Sequence, residues 1–333
     1  MTTNDGSETR TVNQLTEPAP DPESTLVVTD RRRVADSVVA LTIQHEDGRT
    51  LPPWSPGAHI DFVLAPGLER QYSLCGDPGE TDRWRVAVLR EPDGRGGSAF
   101  VHDKLDVGDS VTVRGPRNHF ELQAAPSYRF IAGGIGITPI LPMIAEADRA
   151  GADWRLWYGG RSLGSMAFRD ELAPYGDRVR LWPEESNGLL PLADMFAAGD
   201  SGSLVYCCGP EPLLRAVEER CSAELSELLH LERFSPKEIG EPLRCTTFRV
   251  HCRQSGTTVE VPAGQSVLAA LEDAGLPVDS SCREGTCGTC ETAVVSGRVQ
   301  HRDSVLTAEE QAAGDRMMIC VSRAAEDDLV LDV

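Results

Sequence analysis

The nine residues Cys282-Arg283-Glu284-Gly285-Thr286-Cys287-Gly288-Thr289-Cys290 restrict this chain more than any other stretch. They form C-x4-C-x2-C, and a fourth cysteine, Cys320, follows in the strand-like run MMICVS. This is the spacing of plant-type 2Fe-2S ligation. One tight loop has to wrap a cluster with three thiolates while its N–H groups point at the sulfurs. Gly285 and Gly288 allow the unusual dihedrals that this requires. The last ligand then arrives from a rigid strand. Zinc is the nearest alternative, although structural zinc sites usually draw their ligands as two short-spaced pairs. A redox C-x2-C thiol pair is the other, and it leaves Cys282 and Cys320 without roles.

The remaining composition narrows the setting. Ten cysteines in 333 residues are too few for a disulfide scaffold. Residues 1–24, rich in Thr, Glu, Asp and Pro, carry neither the basic nor the apolar part of an export signal and read as a disordered tail. Cytoplasmic, reduced thiols are therefore expected. A formal charge of −20 repels nucleic acid and anionic lipid, so neither is an expected partner. No apolar run is long enough to span a membrane.

Three domains are expected. Residues 25–122 contain short alternating runs (TLVVTD, SVVALTIQ, HIDFVLA, RQYSLCG, RWRVAVLR, DSVTVRG) separated by turn residues, which predicts a small antiparallel β-barrel or sandwich. In 123–234 apolar runs alternate with helical segments, which predicts an α/β domain with a parallel sheet. Residues 235–245 read as a linker. In 246–333, two strands, a helix ending at Gly275, the cysteine loop, a helix opened by the capping box Thr307-x-x-Glu310 and further strands make an α+β domain.

Two motif groups lie upstream of the cysteines. Arg70-Gln71-Tyr72-Ser73 is, alone, an ordinary amphipathic strand. Beside Gly94-Arg95-Gly96-Gly97-Ser98 it gains meaning. Successive N–H groups of Gly96 and Gly97, with the Ser98 hydroxyl, can form an anion nest, and Arg70 can pair a phosphate bidentately. Tyr72 can stack on a planar ring and Ser73 can hydrogen-bond a ring nitrogen, which together suit a flavin mononucleotide. Gly133-Gly134-Ile135-Gly136-Ile137-Thr138-Pro139 follows an apolar strand and opens a helix, with Thr138 expected as N-cap and Pro139 as the first helical residue. Such a helix start suits a pyrophosphate. It departs from the Rossmann fingerprint, so a plain strand-to-helix turn is an equal alternative. Cys207-Cys208-Gly209-Pro210 ends another apolar strand, where the cysteines can be simple packing residues.

These motifs in this order resemble the phthalate dioxygenase reductase family of the ferredoxin–NADP reductase superfamily, and vanillate demethylase reductases look similar. The resemblance covers roughly residues 25–333. It implies an FMN barrel, an NAD domain and a C-terminal β-grasp ferredoxin domain. FMN rather than FAD, and NADH rather than NADPH, follow from it alone. It implies that Arg70, Gly96, Gly97 and Ser98 hold the FMN phosphate and that Tyr72 and Ser73 contact the isoalloxazine, Ser73 being the nearest candidate for tuning flavin N5. Gly134, Gly136, Thr138 and Pro139 belong to the nucleotide motif, and Cys208 with Gly209 shapes the nicotinamide pocket. Arg161 and Ser162 sit where the family meets the adenosine ribose, Arg161 either flanking it or accepting a 2′-phosphate. Glu232 and Phe234 match the segment closing the NAD domain, where Phe234 either covers the flavin or anchors a core. The implied activity is a monomeric reductase passing electrons from NADH through FMN and the cluster on Cys282, Cys287, Cys290 and Cys320 to a Rieske-type oxygenase. A cytochrome P450 acceptor and a non-enzymatic iron–sulfur redox sensor are the alternatives.

Overall fold

The structure is a computed structural model that describes residues 23–196, 202–221, 228–237, 240 and 246–333. Residues 1–22 of the tail expected over 1–24, most of the linker, and Cys245 lie outside the described residues, and Glu23 and Ser24 instead begin the first strand.

The first strands alternate inward apolar and outward polar side chains, so each can bury one face. They are β1 (Glu23–Ala35), β2 (Val38–Gln44), β3 (His59–Ala65), β4 (Leu68–Ser73), β5 (Arg83–Leu89) and β6 (Ser110–Arg117). All pair antiparallel, in the order β4-β3-β6-β1-β2-β5. A bridge between Leu74 and Val86 joins the two edge strands and closes the sheet into a barrel. Leu26, Leu41, Ile60, Phe62, Trp84 and Val86 fill it. Helix α1 (Gly97–Lys104) crosses between β5 and β6.

The second unit is a parallel sheet of β7 (Ser127–Gly133), β8 (Asp153–Gly160), β9 (Val179–Pro183), β10 (Leu204–Cys208) and β11 (Leu229–Glu232), in the order β11-β10-β7-β8-β9. The helices are α2 (Ile137–Arg149), α3 (Arg169–Leu172), α4 (Glu184–Asn187), α5 (Leu192–Phe196) and α6 (Glu211–Arg220). Adjacent strand residues go to opposite faces. Phe130 and Cys208 pack with Ile140 of α2, whereas Ile131 and Cys207 pack with Leu214 and Val217 of α6. The chain builds outward from β7 through β8 and β9, then returns to the other side of β7 with β10. The strand order therefore reverses between β7 and β10, the position where open α/β sheets leave a ligand crevice at their carboxyl ends. Val38, Ala40, Cys75 and Ala87 of the barrel join the α2 cluster, so the two units share apolar packing.

Helix α2 begins two residues earlier than the motif suggests, at Ile137 rather than Pro139. Gly134–Gly136 form a 3-10 turn that runs into the helix, Gly136 is the N-cap, and Thr138 and Pro139 are its second and third residues. The Thr138 hydroxyl donates to the Ile135 carbonyl at 2.9 Å instead of capping. Pro139 is tolerated there because first-turn N–H groups lack helical acceptors.

The C-terminal unit contains β12 (Phe248–Cys252), β13 (Thr258–Val261), α7 (Val267–Asp273), β14 (Glu291–Ser296), β15 (Val299–Gln300), α8 (Ala308–Ala313), β16 (Arg316–Met318), β17 (Arg323–Ala324) and β18 (Asp328–Leu331). Its main sheet runs β13-β12-β18-β14-β16, with β12 and β18 parallel and the other pairs antiparallel. Leu268 and Leu271 of α7 pack on Val250 and Leu329, giving the β-grasp arrangement. Gly275 follows α7 with φ 76°, and the Thr307–Glu310 capping box forms as expected.

Candidate functional site

Arg70 on β4 meets the turn that starts α1. Gly96 is the N-cap with φ 85°, and no side chain caps the helix. The Arg70 side chain lies directly over Gly97, where a Cβ would stand 2.8 Å from Nε. Its guanidinium donates to the carbonyls of Glu69 (2.6 Å) and Arg95 (2.8 Å). Burial and the neighbouring Arg95 cation both lower the Arg70 pKa. Two adjacent cations at an uncapped helix N-terminus make a place where an anion removes repulsion, which fits the phosphate of a flavin mononucleotide. The Ser98 Oγ accepts from the Glu91 N–H at 3.0 Å, leaving its own hydrogen to donate. Tyr72 packs edge-on against Phe62, 5.2 Å between ring centroids. Its hydroxyl is buried without a partner among the described residues, an unfavourable state unless a ligand supplies one. Ser73 is buried at the end of β4, directly opposite His59.

At the carboxyl ends of β7 and β10 the two glycine motifs touch. A Cβ on Gly136 would lie 2.5 Å from the Cys208 carbonyl carbon and 2.7 Å from the Gly209 nitrogen. A Cβ on Gly209 would lie 2.9 Å from the Gly133 Cα. These glycines therefore let two strand ends close on each other. Gly134, with φ 55° and open space around it, is the one facing outward. The uncapped start of α2 beside it fits a pyrophosphate. Cys208 is buried and donates through Sγ to Glu232 Oε2 at 3.7 Å. Burial pushes the Glu232 carboxyl up to about 8, and burial together with the carboxylate pushes the Cys208 thiol well above its usual range. The pair is neutral near pH 7, which excludes a thiolate nucleophile and suits a pocket wall. Ser162 closes a short turn by exchanging hydrogen bonds with Ser165, beside an exposed Arg161. Phe234 is 45% exposed, so it anchors no core.

Cys282, Cys287, Cys290 and Cys320 are all buried, and their thiols form one contiguous row of contacts, Cys287 to Cys282 to Cys320 to Cys290. Among the described residues no three or more His, Cys, Asp or Glu side chains surround a single ion centre. A row suits a two-iron cluster, which spreads four thiolates over two metals. The amides of Glu284 and Thr286 donate to Cys282 Sγ at 3.3 and 3.4 Å, as ligation by stabilised thiolates requires. Gly285 and Gly288 have φ 70° and 77°. Arg283 shares the left-handed region at φ 58°, a conformation costly for a non-glycine residue and concentrated at functional loops. His59 and His119, which belong to none of the motifs, both reach this loop from the barrel side. No local signal marks them, because the contact joins segments far apart in sequence.

Known proteins share these features. Residues 250–325 match the 2Fe-2S iron-sulfur cluster binding domain family. The phenoxybenzoate dioxygenase subunit beta of Ectopseudomonas oleovorans is 44% identical over 301 residues, covering 90% of this chain and 94% of the relative. A solved structure of phthalate dioxygenase reductase, described as a modular structure for electron transfer from pyridine nucleotides to 2Fe-2S, is 36% identical with TM-score 0.68. It covers 93% of this chain and 98% of its own. An intact type IV self-sufficient cytochrome P450 monooxygenase is 42% identical with TM-score 0.87, covering 96% of this chain. This chain spans only 43% of that P450 protein.

Proposed function

The chain belongs to the phthalate dioxygenase reductase family, and from that premise we propose that it is the reductase component of an oxygenase system, taking electrons from NADH through FMN to a 2Fe-2S cluster and on to a terminal oxygenase. One observation carries the reading: the strand that fits the flavin also touches the cysteine loop. Gln71, between Arg70 and Tyr72, donates to Ser281 at 2.7 Å, one residue before Cys282.

When bound, FMN supplies the ability to take a hydride as two electrons and release them singly, chemistry that belongs to the cofactor. The protein's residues bind and orient. Arg70, Gly96, Gly97 and Ser98 hold the phosphate, Tyr72 offers its unpartnered hydroxyl, and Ser73 lines the ring. Gly134, Gly136, Thr138 and Pro139 form the pyrophosphate turn, and Arg161 and Ser162 flank the adenosine ribose. Cys208 and Gly209 wall the nicotinamide pocket, with the neutral Glu232 fixing the thiol. Phe234 covers the flavin face from its exposed position after β11. Cys282, Cys287, Cys290 and Cys320 ligate the cluster.

The acceptor in this reading is a Rieske-type oxygenase. A cytochrome P450 acceptor is the second reading, favoured by the likeness to the self-sufficient P450. The protein acts as a cytoplasmic monomer, and its charge of −20 disfavours nucleic acid and anionic lipid. Among the described residues no helix is long and apolar enough to cross a membrane. Anaerobic titration with NADH and with NADPH, followed in the visible spectrum, tests the proposal. NADH is expected to bleach flavin and iron–sulfur bands at lower concentration. A spectrum lacking either set of bands, or preference for NADPH, overturns the corresponding assignment.

A further inference from the structure

Among the described residues, the contacts that join the barrel to the cysteine loop include four that are unequal. Arg95 and Glu284 pair at 2.8 Å, with Arg95 well exposed and Glu284 partly so, so the pair contributes little. Gln71 donates to both Ser281 and Asp61, a link of ordinary strength. The other two are imidazoles. The His119 ring rests on Gly288, where a Cβ would stand 2.7 Å from Cε1 and 2.8 Å from Cδ2. Gly288 lies between Cys287 and Cys290 with a left-handed backbone, so this ring sets how closely the loop can approach the barrel.

His59 stands behind His119, with 6.1 Å between ring centroids. It is buried, lies opposite Ser73 across β3 and β4, and reaches the backbone of Cys287. One residue thus touches both the flavin strand and a ligand-bearing segment. Beneath it, Arg117 and the fully buried Asp61 pair at 2.6 Å, which fixes the floor on which the ring sits.

We propose that His119 and His59 are positioning residues that set the separation between the flavin strand and the cluster loop, and through it the rate at which single electrons cross. The inference rests on the reading of β4 as the flavin strand and of residues 282–290 as the cluster loop. In each crossing the reduced flavin loses one electron and one ferric ion of the cluster becomes ferrous. No bond forms or breaks, and the imidazoles relay no proton.

The test uses the full-length protein carrying both cofactors, with His119→Ala, His119→Gln and His59→Asn variants. His119 is exposed, so its replacement leaves the fold intact. After anaerobic mixing with NADH, flavin bleaching is expected at the wild-type rate in His119→Ala. Cluster bleaching is expected to be slower than in the wild type, because a wider gap between flavin and cluster lowers the single-electron rate. His119→Gln, which keeps a nitrogen within reach of Gly288, is expected to recover most of the rate, and His59→Asn to slow the same step. Amide hydrogen exchange supplies a readout independent of turnover, with residues 282–290 expected to exchange faster in His119→Ala than in wild type. Unchanged cluster bleaching and unchanged exchange in His119→Ala overturn the proposal. Absence of flavin or cluster bands from the wild-type protein overturns the site assignment beneath it.

Discussion

Replacing Gly97 by alanine separates phosphate recognition from every other role of the barrel. Gly97 is the first residue of α1 and its φ is not left-handed, so the main chain accepts alanine, with a helix-propensity gain of up to about 1 kcal/mol. The obstacle is the Arg70 side chain, with Nε and Cδ at 2.8 and 3.1 Å from the added methyl. These atoms lie mid-chain, so Arg70 has to leave its rotamer and give up its bonds to the Glu69 and Arg95 carbonyls. An anion at the turn then loses a charge-assisted partner worth about 1.5–3 kcal/mol, roughly a ten- to hundredfold rise in Kd. Fluorescence titration of the flavin-free protein with FMN and with riboflavin measures this. Gly97→Ala is expected to weaken FMN by that factor and to leave riboflavin, which has no phosphate, unchanged. Equal weakening of both ligands, or no weakening of FMN, refutes the assignment of Arg70 and Gly97 to the phosphate.

Other perturbations reach the remaining sites. Gly136→Ala drives a methyl into the Cys208–Gly209 backbone, which cannot yield as a side chain can. Loss of NADH-dependent flavin bleaching is expected while dithionite still reduces the flavin. The folded Glu232 carboxyl titrates near 8 against 4.5 when free, so the folded state keeps a proton that the unfolded state releases. Stability is therefore full below pH 4.5 and falls as pH rises towards 8, by at most about 1.4 kcal/mol per pH unit. Urea unfolding of Glu232→Gln is expected to lack that slope, and its persistence contradicts the burial argument. Cys320→Ser is expected to abolish the iron–sulfur absorption and cytochrome c reduction while NADH-to-ferricyanide activity, taken from the flavin, survives.

Much of this site is legible in the sequence because its ligands are local. Cys282, Cys287 and Cys290 share one loop, so their spacing alone carries chemistry, whereas Arg70 through Ser73 gain meaning only beside the Gly94–Ser98 turn. The start of α2 is less legible, since a 3-10 turn at Gly134–Gly136 shifts the cap away from Thr138. The motif's glycines also mislead in part. Gly136 is required chiefly by the approach of Cys208, and only Gly134 faces open space. Strand β11 is hard to see because Leu229–Glu232 is short, only partly buried and paired on one edge. The contacts of His59 and His119 with the cysteine loop cannot be read at all. They depend on how the third unit packs on the first, and no periodicity encodes that.

The order of electron arrival tests the account most directly. Rapid anaerobic mixing of the intact protein with limiting NADH, followed at flavin and at iron–sulfur wavelengths, is expected to show flavin bleaching first and cluster bleaching after it. Cluster bleaching that precedes or bypasses the flavin, or a fully reduced flavin beside a cluster that never accepts an electron, contradicts it.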